Sequence, residues 1–294
     1  MSSVLTNPSA ITALQTLRAT QQSLASTQKE ISTGLKISGA ADNSSTWSIA
    51  ETMKSDKAVL STITDSLAVS SSMLNVASAA VTNAISVINN IKSAVAQAEA
   101  PGADLEKIGT ALAGLSTQLT GIVTSASFNG LNLTDGSQTT ISITSSYTDG
   151  GGAAASSIGT ITLTAQALTN SGGTGILESS QATGASAATD FTNLTSADIA
   201  SGTVADTLSN ADKVIATLTS YAAQIGATQT SVNAQANFIK TLNDALTTGV
   251  SSLVDADMNE ASTRLQALQT QQQLGVQSLS IANQNSQIIL RLFQ

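Results

Sequence analysis

Between about Asn43 and Ala98 the apolar residues Trp47, Ile49, Met53, Leu60, Ile63, Leu67, Leu74, Val81, Ile85, Ile88, Ile91 and Val95 recur mostly at three- and four-residue steps or multiples of them. That spacing predicts one helix of about 55 residues, several times the ~10–14 of an ordinary globular helix, and a helix of that length implies a rod. "APGA" at Ala100–Ala103 stops it, because Pro101 has no amide to donate and Gly102 tolerates a turn. A third helix is expected from about Asp104 to Ala126, and helical spacing returns from about Val204 to Val250.

The two ends of the chain carry a different signal. From Ile11 to Leu35, the residues Leu14, Leu17, Leu24, Ile31 and Leu35 are separated by 3, 7, 7 and 4, a heptad seam with Gln21 and Gln28 at its alternate positions. After Arg264 no charged residue occurs until Arg291, yet the leucines and isoleucines keep helical spacing. On a helical wheel Leu265, Leu268, Val276, Leu279 and Leu290 share one sector, while Leu274, Ile281, Ile288 and Leu292 lie roughly opposite. One stripe can pair with the N-terminal seam; the other has no partner within the chain, so its partner is expected to be other copies. Isolated ends of this kind are expected to be disordered before assembly.

Phe128 opens a segment of another character. "FNGLNLTDG", "TTISITSSY" and "IGTITLTAQAL" alternate with period two around Asn-Gly and Asp-Gly turns, predicting short strands and hairpins. Gly172–Gly202 is rich in Ser, Thr, Ala and Gly with little periodicity, and reads as a small, exposed insertion. The plan is mainly α: a long antiparallel helical rod and a terminal coiled coil with a small β-rich central insertion. The expected division is an N-terminal helix in 1–42, rod helices in 43–133, the outer insertion in 134–203, a returning rod helix in 204–252 and a terminal helix in 253–294.

Composition narrows the function. Charged residues make up 10% of the chain, against roughly 25% in a typical soluble domain. Aromatics are 2%, and a formal net charge of -8 argues against a nucleic-acid partner or an anionic membrane. With no Cys and no His, thiol, disulfide, zinc-finger and His-based acid/base chemistry are excluded, and no cofactor is expected. The N-terminus lacks the basic start and continuous apolar core of a Sec signal, and no run of about 18 apolar residues predicts a membrane span. A Ser–Lys site using Lys54 or Lys57 is formally open, but nothing groups those residues, and no enzyme activity is expected. "VDADMNE" lacks the central Gly and terminal Glu of a calcium loop and reads as a helix cap, as do Asp42 and Asn43 in "SGAADNSS".

Three separated blocks resemble the bacterial flagellin family. "LQTLRATQQSLASTQKEISTGLKISGAADNSSTWSIAETM" is similar to its N-terminal region. "SFNGLNL" at Ser127–Leu133 is similar to the segment ending its third helix. "SLVDADMNEASTRLQALQTQQQLGVQSLSIANQNSQIILRLF" resembles its C-terminus. The resemblance covers about Ser2–Leu133 and Leu208–Gln294, and the short insertion is like that of compact alphaproteobacterial members. It implies a secreted homopolymer exported through the flagellar type III channel, extended beneath a cap, joined to hook-junction proteins and held before assembly by a chaperone at its C-terminal region. Filament contacts would then involve Leu14, Leu17, Leu24, Ile31, Leu35, Leu265, Leu268, Leu274, Leu279, Ile281, Ile288 and Leu292. Where many members carry an Arg/Glu patch read by Toll-like receptor 5, "INNIKSAVAQ" aligns Asn90, Lys92 and Ser93, which implies weak recognition. A hook–filament junction protein, or a secreted adhesin or receptor ligand working through the insertion, are the alternative readings.

Overall fold

The computed structural model describes residues 7–150, 155–170, 172–200 and 202–292, with side chains of the last helix described as far as residue 284. Five long helices dominate: α1 (Pro8–Thr33), α2 (Ser44–Gln97), α3 (Leu105–Ser125), α4 (Val204–Val254) and α5 (Met258–Leu292). Between α3 and α4 lie four strands, β1 (Ser127–Phe128), β2 (Leu131–Asn132), β3 (Thr140–Thr148) and β4 (Ser157–Thr164), then a 3-10 turn at Ser196–Ile199. Two compact units result. One takes residues up to Lys57 and from Asp244 onward; the other is Ala58–Asn243.

The second unit is built on three heptad seams. In α2, Leu60, Ile63, Leu67, Leu74, Ala77, Val81, Ala84, Ile88, Ile91 and Val95 are buried at alternating steps of three and four with Ser70 filling the one gap. α4 repeats the pattern with Val204, Thr207, Ala211, Val214, Leu218, Tyr221, Ile225, Thr228, Val232 and, after Gln235, Ile239. α3 adds Gly109, Leu112, Ser116, Leu119 and Val123. Lys92 is ion-paired with Asp212 and Gln229 donates to Asn75, so residue numbers fall along α4 as they rise along α2, and the two helices run antiparallel. An 18-residue window of α2 reaches a mean hydropathy of 1.3, enough by composition for a membrane span. Its Leu67, Leu74, Val81, Ile88 and Val95 are fully buried, which marks it as a core helix.

Local signals place the helix ends. The Asp104 carboxylate accepts from the Lys107 amide at 3.2 Å and caps α3; its bonds to Lys107, side chain first and then amide, hold the carboxyl below its ordinary value. Gly34 ends α1 in the left-handed conformation at φ 72, its amide donating to Glu30 O at 2.8 Å.

The insertion is attached far more tightly than its sequence suggests. β3 and β4 form an antiparallel hairpin running from Thr140↔Thr164 to Thr148↔Ser157, with an irregularity between Thr144 and Ser146. Its neck is closed by the Ala165 amide on Thr139 O and the Leu168 amide on Thr134 O. The stretch Gly172–Gly202, expected to be a small exposed insertion, instead buries Leu177, Phe191, Leu194 and Ile199 almost completely. Single apolar residues at irregular intervals leave no periodic trace, because the face they cover is supplied by helices elsewhere in the chain. Ser116 Oγ accepts from the Leu194 amide at 3.2 Å, and the Thr207 hydroxyl donates to Asp198 O at 2.9 Å.

Tyr221 ties the base of this insertion to α4. The residue is 2% exposed and its hydroxyl donates to Leu133 O at 2.9 Å. Burial pushes its phenol above the ordinary 10.0, the Gln166 amide offsetting part of the shift. Below the unfolded pKa both states are protonated and the contribution is complete. Between that pKa and the higher folded one only the unfolded chain gains by ionising, so stability falls as pH rises towards the folded pKa. Tyr221→Phe is expected to cost about 1 kcal/mol at neutral pH and to remove this alkaline loss. Urea unfolding at neutral and strongly alkaline pH checks both.

Candidate assembly surface

α1 and α5 form an antiparallel pair within the first unit. Asn7 Nδ2 donates to Ala282 O at 2.8 Å, Leu17 lies over Gly275, and Glu30 is 4.0 Å from Arg264. On α1 the seam positions are Ala10, Ala13, Leu17, Thr20, Leu24, Thr27 and Ile31, with Glu30 half-buried beside the last, and on α5 they are Ala261, Leu265, Leu268, Gln272, Gly275, Leu279 and Ala282. Both sets step by three and four, so the pair is a coiled coil. Small residues alternate with large ones along it. A Cβ at Gly275 would sit 3.3 Å from Leu17 Cδ1, so only glycine allows this approach without displacing the leucine.

This register shifts part of the N-terminal seam. Leu17, Leu24 and Ile31 lie on it, and Leu35 is half-buried just beyond α1, but Leu14 is 37% exposed and Ala13 takes its place. Thr20 and Thr27, not Gln21 and Gln28, fill the alternate positions; Thr27 is the one buried residue of α1. On α5, Leu265, Leu268 and Leu279 are half-buried as the wheel suggests, whereas Val276 is 54% exposed, one residue past Gly275. A wheel drawn from large residues alone misplaces both, because the closest layers are made by Ala, Thr and Gly.

The connectors beyond these helices are laced together. Lys36 and Ile37 amides donate to Val254 O at 2.7 and 3.3 Å, and the Ala256 amide donates to Gly34 O at 2.9 Å, around a Leu35↔Asp255 bridge. Asp42 accepts from the amide and hydroxyl of Ser38, both at 2.9 Å. Those bonds, the amide first, hold its carboxyl below the ordinary range, with Lys29 at 3.5 Å adding a smaller attraction. Asp257 accepts from the Asn259 amide at 2.9 Å and caps α5.

The outward face of α5 is apolar and carries no charge between Arg264 and Arg291. Leu274 is 56% exposed and Ile281 61%, seven residues apart and therefore on one face of α5. On α1, Ile11 is half-exposed and shares its face with the exposed Arg18, seven residues on. Beside Leu274 a groove of about 420 Å³ runs between the helices, floored by Leu17 and Gly275 and edged by Thr16, Gln271 and Ser278. The side chains of Ile288, Leu290 and Leu292 lie outside the described residues. Aliphatic groups, hydroxyls and neutral amides on such a face can associate with another copy's surface.

In the second unit, Asn90 and Ser93 are exposed on α2. Ser93 returns its hydroxyl to Asn89 O at 3.0 Å, and Lys92 is committed to Asp212. The stretch therefore presents amides and hydroxyls with its lone cation partly neutralised.

Residues 4–139 match the bacterial flagellin N-terminal helical region and residues 208–293 match the bacterial flagellin C-terminal helical region. The chain is 39% identical over 295 residues to a flagellin of Brucella melitensis, covering all of both proteins. It is also 39% identical over 320 residues to flagellin C of Rhizobium meliloti, again end to end. Flagellin A of Rhizobium meliloti is 45% identical over 75 residues, 26% of this chain and 19% of that one.

Proposed function

The chain belongs to the bacterial flagellin family and is a structural subunit of a flagellar filament serving motility; we propose that it polymerises through the uncharged outer face of α5, the face turned away from α1. The observation that carries this reading is the joint exposure of Leu274 and Ile281 on a helix with no charge between Arg264 and Arg291. Burying them between copies removes apolar surface from water without requiring any ion pair to be desolvated. Ile288 and Leu292 continue the same stripe by sequence spacing. Leu17, Leu24, Ile31, Leu35, Leu265, Leu268 and Leu279 hold the pair together, and Leu14 flanks its seam.

Residues 1–42 and 253–294 form the inner tube, 43–133 and 204–252 the surrounding rod domain, and 134–203 the outer insertion. The subunit is secreted through the flagellar type III channel to an extracellular filament, with a chaperone covering the C-terminal region until cap and hook-junction proteins receive it. Its role is structural and calls for no catalytic step. Toll-like receptor 5 responds weakly, because Asn90 and Ser93 are neutral and Lys92 is paired with Asp212. Purified protein should leave receptor-expressing reporter cells near baseline; a response at nanomolar protein would refute this.

Electron microscopy of seeded, salted-out protein tests the assembly reading, with the full chain set beside a version cut back to residues 36–264. Filaments from the full chain alone place assembly in the ends. Filaments from both, or soluble protein from both with competent seeds, would reject it.

A further inference from the structure

We propose that Asn129 is a self-modification site at which the native chain deamidates through a cyclic imide. Asn129–Gly130 is the sole Asn-Gly pair in the sequence. It forms the two-residue turn of the β1–β2 hairpin, with φ 52 at Asn129 and φ 78 at Gly130, and Asn129 is the one non-glycine residue with positive φ among those described.

The reaction needs only water and a solvent base. The Gly130 backbone nitrogen, losing its proton to base, attacks Cγ of Asn129; the new N–C bond forms as the Cγ–Nδ2 bond breaks, and ammonia leaves carrying the extra proton. Water then opens the five-membered imide at either carbonyl, leaving aspartate or isoaspartate at 129. No electron is transferred, and the chain gains one negative charge. Glycine at 130 matters because a side chain there would crowd the attacking nitrogen.

A closed turn holds that nitrogen away from Cγ, so the hairpin has to open first, and here opening is cheap. Each strand has two residues, paired only as Ser127↔Asn132 and Phe128↔Leu131. Hairpins of this size are marginal on their own. No atom lies within 4 Å of a Cβ built at Gly130, Asn129 is exposed and Leu131 is 40% exposed. Opening stops at Asn132, which is 5% exposed, donates to Val123 O at 2.8 Å and accepts from the Thr134 amide at 2.8 Å. The turn can therefore fray while the insertion behind it stays docked. Isoaspartate lengthens the main chain by one methylene and prevents the two-residue turn from reclosing.

The reaction requires no filament. The full chain, native and urea-unfolded, is incubated in the same mildly alkaline buffer. Isoaspartate is then quantified by enzymatic methyl transfer and peptide mapping. The native rate at Asn129 is expected within roughly tenfold of the unfolded rate, which corresponds to an opening free energy below about 1.4 kcal/mol. Asn129→Gln should abolish the mark. A native rate more than tenfold slower, or a mark appearing first at another asparagine, overturns the proposal.

Discussion

Replacing Leu274 and Ile281 together by Asp is expected to leave a folded, helical protein that no longer polymerises. Both side chains are more than half exposed, so the isolated subunit loses little by the change. In the assembly each apolar side chain contributes about 1.5–3 kcal/mol when buried. An unpaired carboxylate in its place adds several kcal/mol of desolvation, and on α5 the nearest cations, Arg264 and Arg291, are ten residues from Leu274 and Ile281 respectively. Since every ~1.4 kcal/mol is tenfold in an equilibrium constant, the critical concentration should rise by at least about a thousandfold. A polymer repeats its contact with each subunit added, so the penalty recurs along the whole assembly. Sedimentation of seeded protein reads the critical concentration, and circular dichroism checks that helix content is kept. Polymerisation at the wild-type concentration would remove the outer stripe from the interface. Leu268→Ala is the contrasting change: it lies on the seam, and its effect should fall on α1–α5 pairing itself.

How much of this was legible depends on where each contact partner lies. The α2 and α4 seams repeat so regularly that their ends could be read within a few residues, with Pro101 and Gly102 stopping α2 where expected. Leu274 and Ile281 were also separable from Leu265, Leu268 and Leu279, because opposite faces of one helix follow from spacing alone. Pairing register was not legible to the same degree. Ala13 displaced Leu14 and Gly275 displaced Val276 because helices approach most closely over small residues, and those are invisible to a search for large apolar ones. The signal was nevertheless present in the regular steps through Ala10, Ala13, Thr20 and Thr27. Least legible was the docking of residues 165–203, since Phe191 and Leu194 acquire meaning only beside α3 and α4. That docking also makes the insertion inseparable from its support: cutting out Gly136–Gly202 would bare the surfaces that Leu177 and Phe191 cover, whereas β3 and β4 pair with each other above a hydrogen-bonded neck.

Asn210→Leu should be the most damaging single polar substitution in the second unit. Asn210 is fully buried on α4 and holds three groups of the insertion at once. Its Oδ1 accepts from the Ala182 amide at 2.5 Å, and its Nδ2 donates to Ala187 O at 2.9 Å and to the Thr189 hydroxyl at 2.8 Å. Leucine matches the shape closely and answers none of them. Each buried or part-buried group left without a partner costs about 1–3 kcal/mol, so roughly 3–5 kcal/mol is expected, a large share of the ~5–15 kcal/mol that stabilises an ordinary domain. The loss should begin locally. Asp206 and Lys213, one turn to either side, still hold the Ser186 amide and Gln181 O from exposed positions, where such bonds are weaker. Residues 181–189 should therefore become the first protease-sensitive segment, ahead of a lowered urea midpoint for the whole unit. Asn210→Asp separates the two halves of the network: it keeps an acceptor for Ala182 and abandons both donors. An unchanged midpoint together with an unchanged cleavage pattern would mean that the apolar contacts of Leu177 and Phe191 hold the insertion by themselves, with Asn210 merely filling the space beneath it.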